Sequence, residues 1–124
     1  MTSRVTFYHL RLIFGVVLLS LFMTSHASPL VRRNTGDATN YTPGLGSCGQ
    51  TNTEADMVVA VHTPQCGKQI SATYQGKTIK VKVVDTCPAC AEGDLDLSPA
   101  AFGQWADASA YGPGRLHGVQ WNYV

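Results

Sequence analysis

The stretch from Val81 to Phe102, VKVVDTCPACAEGDLDLSPAAF, constrains the fold of this chain more than any other. It brings a strand to an end at Asp85, closes a loop through Cys87-Pro88-Ala89-Cys90, and sets Asp94 and Asp96 just ahead of a helix start. Alternate side chains of an extended segment share a face, so Asp94 and Asp96 are expected to point one way while Leu95 and Leu97 enter the core. The result is an acidic rim over an apolar floor. Upstream, Ile79, Val81 and Val83 alternate with Lys80 and Lys82, the pattern of a strand with one buried and one wet face. Downstream, Ser98-Pro99 is a helix opening, with a hydroxyl at the cap and proline at the first helical position.

The chain before this region divides by composition. Residues 1–28 begin with a polar stretch carrying Arg4 and Arg11, continue with an apolar run from Leu12 to Met23, and leave through Ser25-His26-Ala27-Ser28. This is the shape of a signal peptide cleaved after Ala27 or Ser28. The apolar run falls short of the ~20 residues a spanning helix needs, so no membrane attachment is expected after cleavage. Residues 29–34 form a short linker or propeptide, in which Arg32-Arg33 is either a processing site or two solvated arginines. From Asn34 onward five Lys and Arg face eight Asp and Glu, a net charge of −3. That balance leaves no basic stripe for nucleic acid.

All four cysteines, Cys48, Cys66, Cys87 and Cys90, follow this boundary. An even number in a small secreted chain reads as two disulfides, which matter to a domain with a modest core. Cys87-x-x-Cys90 also has the spacing of zinc ligands or of a redox dithiol, although no βαβ pattern surrounds it.

Strands are expected at Ala38–Tyr41, at Met57–His62 with a helical turn as the alternative, and at Lys68–Tyr74 and Lys77–Asp85 around a two-residue Gln75-Gly76 turn. A helix is expected over Ala100–Ala108, and a last alternating strand over Leu116–Val124 after Gly112-Pro113-Gly114. Six or so short strands with one helix suggest a small closed barrel. Asn40-Tyr41-Thr42 is an N-glycosylation acceptor sequence. No motif for a metal, flavin, haem or nucleotide is recognisable, and no cofactor is expected.

The blocks GDAT (36–39), GSCG (46–49), VVAV (58–61), CGK (66–68), VVDTCPAC (83–90) and DLDLSPAAF (94–102) together resemble single-domain fungal expansin-like proteins and loosenins. Barwin, the expansin N-terminal domain and rare lipoprotein A are wider relatives of that family. The resemblance covers Thr35 to Val124. It implies an all-β fold, a six-stranded double-psi β-barrel with one or two short helices and a shallow polysaccharide groove. It places the groove threonine at Thr39, one aspartate at Asp85 and the functionally essential one at Asp96. It puts His62 roughly where rare lipoprotein A carries a histidine partner, and by similarity to barwin it pairs Cys48 with Cys66 and Cys87 with Cys90. Where expansins carry an aromatic two residues past the first aspartate, this chain has Cys87.

These residues allow two classes of function. In the first, a secreted monomer binds and loosens cell-wall polysaccharide (cellulose, chitin or a related glycan) without hydrolysis, with a lytic or hydrolytic variant of the same groove. Glycoside hydrolysis with inversion needs carboxyls about 6.5–9.5 Å apart and retention about 5–5.5 Å. Expansin-like grooves are expected to keep the acid and lack the base, so Asp96 and Asp85 are groove carboxylates with Thr39 and Tyr41 as sugar contacts. Asp94 reads more as a solvated neighbour, and His62 more as a structural histidine. Asp96 also stands near the start of the helix dipole, worth about 0.3–1 kcal/mol, which gives it a structural alternative. Of Tyr74, Tyr111, Trp105 and Trp121, the two tryptophans read as core. In the second class the barrel is a protein-binding module, such as a cysteine-protease inhibitor or a defence or effector protein, that works through its loops.

Overall fold

The computed structural model describes residues 33–107 and 114–124. The signal-peptide segment, Arg32, the expected helix end at Ala108, Tyr111 and Gly112-Pro113 lie outside the described residues. The elements are β1 (Asn34–Asn40), β2 (Val58–Val61), β3 (Gln69–Tyr74), β4 (Lys77–Thr86), β5 (Leu95–Leu97), α1 (Pro99–Phe102) and β6 (Arg115–Tyr123). They close into a barrel in the order β1-β5-β2-β4-β3-β6, a double-psi β-barrel with mixed pairing. β1 runs parallel to β5 and β2 parallel to β4, while every other neighbour is antiparallel.

The alternation read from the sequence builds the core. Ile79, Val81 and Val83 of β4, Leu95 and Leu97 of β5, Ile70 and Ala72 of β3, and Val119 and Trp121 of β6 all point inward and are buried. Burying a side chain of this size is worth about 1.5–3 kcal/mol, so the small barrel is held by this inner ring. The β3–β4 hairpin forms as expected around Gln75-Gly76, with Tyr74 opposite Lys77.

Three elements differ from expectation. β1 starts at Asn34, four residues early, because Asn34 pairs with Trp121 of β6. The MVVAVH segment is a strand, but only over Val58–Val61. The helix stops at Phe102 and not at Ala108. Ser98 caps it, accepting from the Ala101 N–H, and Gly103 is its C-cap, donating its N–H to the Pro99 carbonyl. Trp105 then donates its indole N–H to the Lys77 carbonyl (2.9 Å), so a tertiary bond holds the chain where a second helical turn would run.

Ser98 is completely buried and ties three segments together. Its hydroxyl donates to the Asp56 carbonyl (2.5 Å) and accepts from the N–H groups of Val58 (3.4 Å) and Ala101 (3.3 Å). The disulfides are Cys48–Cys66 and Cys87–Cys90, the pairing implied by the resemblance to barwin. With all four sulfurs in these bonds, the zinc alternative for Cys87 and Cys90 is set aside.

Candidate functional site

Strand register assembles the site. Thr39 of β1 lies opposite Asp96 of β5, Asp96 opposite Ala60 of β2, and Ala60 opposite Asp85 of β4. Thr39, Asp96, Ala60 and Asp85 thus form one row across four strands. Because Leu95 and Leu97 face inward, Asp96 faces out, and the row lies on the outer wall of the barrel.

Asp85 reaches that wall only through an irregularity. Continued alternation after Val81 and Val83 would send Asp85 inward. Val83 pairs with Val59, but the next pair is Asp85 with Ala60, so Val84 is an extra residue on β4. This bulge re-aims Asp85 outward. The 44–50 loop then anchors it: a Cβ on Gly46 would stand 2.3 Å from the Val84 carbonyl oxygen, so only glycine allows this approach. The approach lets the Ser47 N–H donate to Asp85 Oδ1 at 2.9 Å, joined by the Thr86 N–H at 2.8 Å.

The two carboxylates differ in character as a result. Burial pushes the Asp96 carboxyl up, and although the Thr39 hydroxyl donates to it at 2.8 Å, its proton affinity stays above the ordinary aspartate level. Burial acts the same way on Asp85, but the donated N–H groups and the Ser47 side chain outweigh it and hold Asp85 below the ordinary level. One group retains a proton more readily and the other is a weak base. Tyr41, next on the Thr39 side of the chain, has its phenol pushed up to about 12 by burial and by the charges of Asp85 and Asp96. Its Oη is buried with no hydrogen-bond partner among the described residues. The Cys87–Cys90 sulfurs and an Asp96 oxygen lie within 4.8 Å of one another, so the disulfide stands beside that carboxyl.

Asp94 stays beside the site without joining the row. It accepts from the Asp37 N–H (2.9 Å) and stands 3.6 Å from Arg115. Asp37 pairs with Arg115 (2.9 Å) and His117 Nδ1 (3.0 Å), and these two bonds hold its carboxyl below the ordinary level. The reading of the sequence missed Asp37, Arg115 and His117. They meet because β6 carries an extra residue between the pairs Gly36–Val119 and Ala38–Leu116, where Gly118 takes φ +78°. A glycine amid an alternating strand was the available signal.

His62 is exposed and lines a cleft of about 200 Å³ with Glu92, Asp94 and Trp121, apart from Asp96. Asn40 is exposed at the end of β1, and its side chain alternates away from that of Thr39. A glycan there would leave the other face of the strand. Trp121 is buried, donating its indole N–H to the Gly93 carbonyl (2.8 Å), and Trp105 packs half-buried against Tyr74. Neither tryptophan belongs to the row, and among the described residues Tyr41 is the aromatic beside Asp85 and Asp96.

Comparisons with known proteins agree on the architecture. A family model described as "Lytic transglycolase", a double-psi β-barrel, matches residues 33–115. The chain is 32% identical over 111 residues to an allergen Asp f 7 homolog of Arthroderma benhamiae, covering 73% of this chain but only 38% of that relative. It is 33% identical over 110 residues to the papain inhibitor of Streptomyces mobaraensis, covering 77% of this chain and 75% of the inhibitor. The solved Streptomyces papain inhibitor superposes with a TM-score of 0.66 at 32% identity, over 79% of this chain and 99% of the inhibitor. A mutant Clavibacter michiganensis expansin in complex with cellohexaose gives a TM-score of 0.63 at 29% identity, over 75% of this chain and 50% of the expansin.

Proposed function

Since the chain belongs to the lytic transglycolase family of double-psi β-barrels, we propose that it is a secreted, expansin-like protein that binds cell-wall polysaccharide in the Thr39–Asp96–Asp85 groove and loosens it without hydrolysis. The observation that carries this reading is the unequal pair of carboxylates. Asp96, half-buried and raised in proton affinity, is suited to donate to a glycosidic or hydroxyl oxygen. Asp85, held below the ordinary level by backbone N–H groups, is a poor base for activating water. A groove with an acid and no competent base grips sugar hydroxyls more readily than it hydrolyses the bond between sugars. Each hydrogen bond between a sugar hydroxyl and Thr39, Asp85 or Asp96 nets about 0.5–1.5 kcal/mol, with Tyr41 packed beside them, and several acting together displace one glycan chain from its neighbour. The likeness to an expansin solved with cellohexaose supports a β-glucan as ligand.

The likeness to the papain inhibitor favours a second reading, in which loops engage a secreted cysteine protease. One experiment separates them. Protein expressed from the full chain is pulled down on cellulose and on chitin, with soluble sugar assayed in the same tubes and Asp96→Ala run in parallel. Retention or swelling that needs Asp96, with no sugar released, is the expected outcome. Released sugar would make the groove a glycan-cleaving site. Absence of binding to both polymers, together with papain inhibition that survives Asp96→Ala, would replace the proposal with the second reading.

A further inference from the structure

The far side of the barrel carries a surface of different chemistry. In the ring of strands β3 stands opposite β5 and β6 opposite β2, so the outer face of β4-β3-β6 looks away from the groove. Register sets its side chains in rows. Thr78, Thr73 and Gln120 lie opposite one another across β4, β3 and β6, and Lys80, Ser71 and Asn122 do the same one pleat further. Lys82 with Gln69 begins a third row. Rows repeat about every 6.6–6.8 Å along the strands, and neighbours within a row stand about 4.8 Å apart. A cleft of about 210 Å³ runs through this face, lined by Arg33, Ser71, Thr73, Thr78, Gln120 and Asn122. Among the described residues, no carboxylate and no apolar side chain lines it.

The two faces therefore divide the charge. Asp37, Asp85, Asp94 and Asp96 lie at the groove, where Arg115 is paired with acids. Arg33 and Lys80 lie on the far face, and Lys82 stands at its β4 edge, where its ammonium reaches the Gln50 amide of the 44–50 loop (3.4 Å). Counted from Arg33, six Lys and Arg against eight Asp and Glu give a net charge of −2, which hides this separation because it sums over both sides.

We propose that the β4-β3-β6 face is a second polymer-binding surface, whose ligand is an extended acidic polysaccharide carrying both hydroxyls and carboxylates, a polyuronate. Charge complementarity selects the anion: Arg33 in the cleft, Lys80 in the adjoining row and Lys82 at the edge of β4 meet carboxylates, with no acid among the described residues that line the cleft. The rows of hydroxyl and amide groups select a sugar over a bare polyanion, since Ser, Thr, Gln and Asn both donate to and accept from hydroxyls at the spacing of the strands. Rows that cross three adjacent strands favour an extended chain over a compact solute. With one surface for the groove glycan and another for an acidic matrix glycan, the domain would sit between two wall polymers.

The test is native affinity electrophoresis of the full-chain protein through gels containing polygalacturonate, with dextran as a neutral control and vesicles containing anionic phospholipid in a parallel flotation assay. Retardation by polygalacturonate alone is expected, weakening as salt rises from about 20 to about 200 mM. Lys80→Gln with Lys82→Gln should weaken binding roughly fivefold or more, a little over half of one tenfold step in free energy. Thr73→Glu, which adds a carboxylate to the cleft, should abolish it. Asp96→Ala should leave it unchanged, which separates this surface from the groove. Absence of retardation at low salt, retardation indifferent to Lys80 and Lys82, or binding to vesicles without binding to polyuronate would each overturn the proposal.

Discussion

Asp96 is the residue on which the proposed groove turns, and its environment has consequences for pH. Its proton affinity is raised in the fold chiefly by burial, so the folded state holds the proton more tightly than the unfolded chain. The stability this contributes is full below the ordinary aspartate value of 3.8 and is lost as pH rises through the raised value. Asp96→Asn keeps an acceptor for the Thr39 hydroxyl and removes the charge. Its melting temperature should exceed that of wild type at neutral pH, and the gap should close as pH falls to about 3.8, measured by thermal melts across pH. Asp85 behaves oppositely, since its lowered affinity contributes stability above 3.8 that is lost as pH falls through its folded value. Asp85→Asn should therefore destabilise the protein at neutral pH and less so in acid. The difference was not legible at the residue level. Both are aspartates near a strand end, and the deeper burial of Asp96 together with the Ser47 and Thr86 N–H groups on Asp85, brought by a loop and a bulge, set them apart.

At the scale of elements, the groove depends on two loops pressed against the sheet. Gly46→Ala would force its Cβ into the Val84 carbonyl. The expected cost is about 1–3 kcal/mol, read from denaturant unfolding, with the Ser47–Asp85 bond loosened and the Asp85 carboxyl returning toward its ordinary value by NMR titration. Ser98→Ala removes the helix cap and leaves the Val58 and Asp56 backbone groups without their buried partner. It should cost about 1–3 kcal/mol by the same measurement. The hairpin, the inward leucines of β5 and the Ser98-Pro99 opening were readable because each depends on near neighbours in the chain. The helix length was not, since the Trp105 bond to Lys77 spans 28 residues of sequence.

For the molecule as a whole, the two disulfides have different duties. Cys48–Cys66 closes a loop of 18 residues' separation, and loop-closure entropy makes it worth about 3 kcal/mol. Cys87–Cys90, with a separation of 3, restrains the unfolded chain less, about 2 kcal/mol in the same account, and stands beside the Asp96 carboxyl. Replacing Cys48 and Cys66 by serine should lower the melting temperature more than replacing Cys87 and Cys90. The second pair of substitutions should have the larger effect on glycan retention.

The amino-acid sequence by itself determined the inner surface of this protein. Alternation in β3, β4, β5 and β6 decides which side chains leave water, because a side-chain period of two follows from local backbone geometry. It also carried the family blocks by which the barrel, Thr39, Asp85 and Asp96 were expected together. Tertiary structure decided the outer surface. Parallel pairing of β1 with β5 sets Thr39 against Asp96 across 57 residues of sequence. The extra residues at Val84 and near Gly118 turn Asp85 outward and bring Arg115 and His117 to Asp37. The physical reason is that a bulge is defined by the partner strand: the same residues read as plain alternation until register shows that two of them face one.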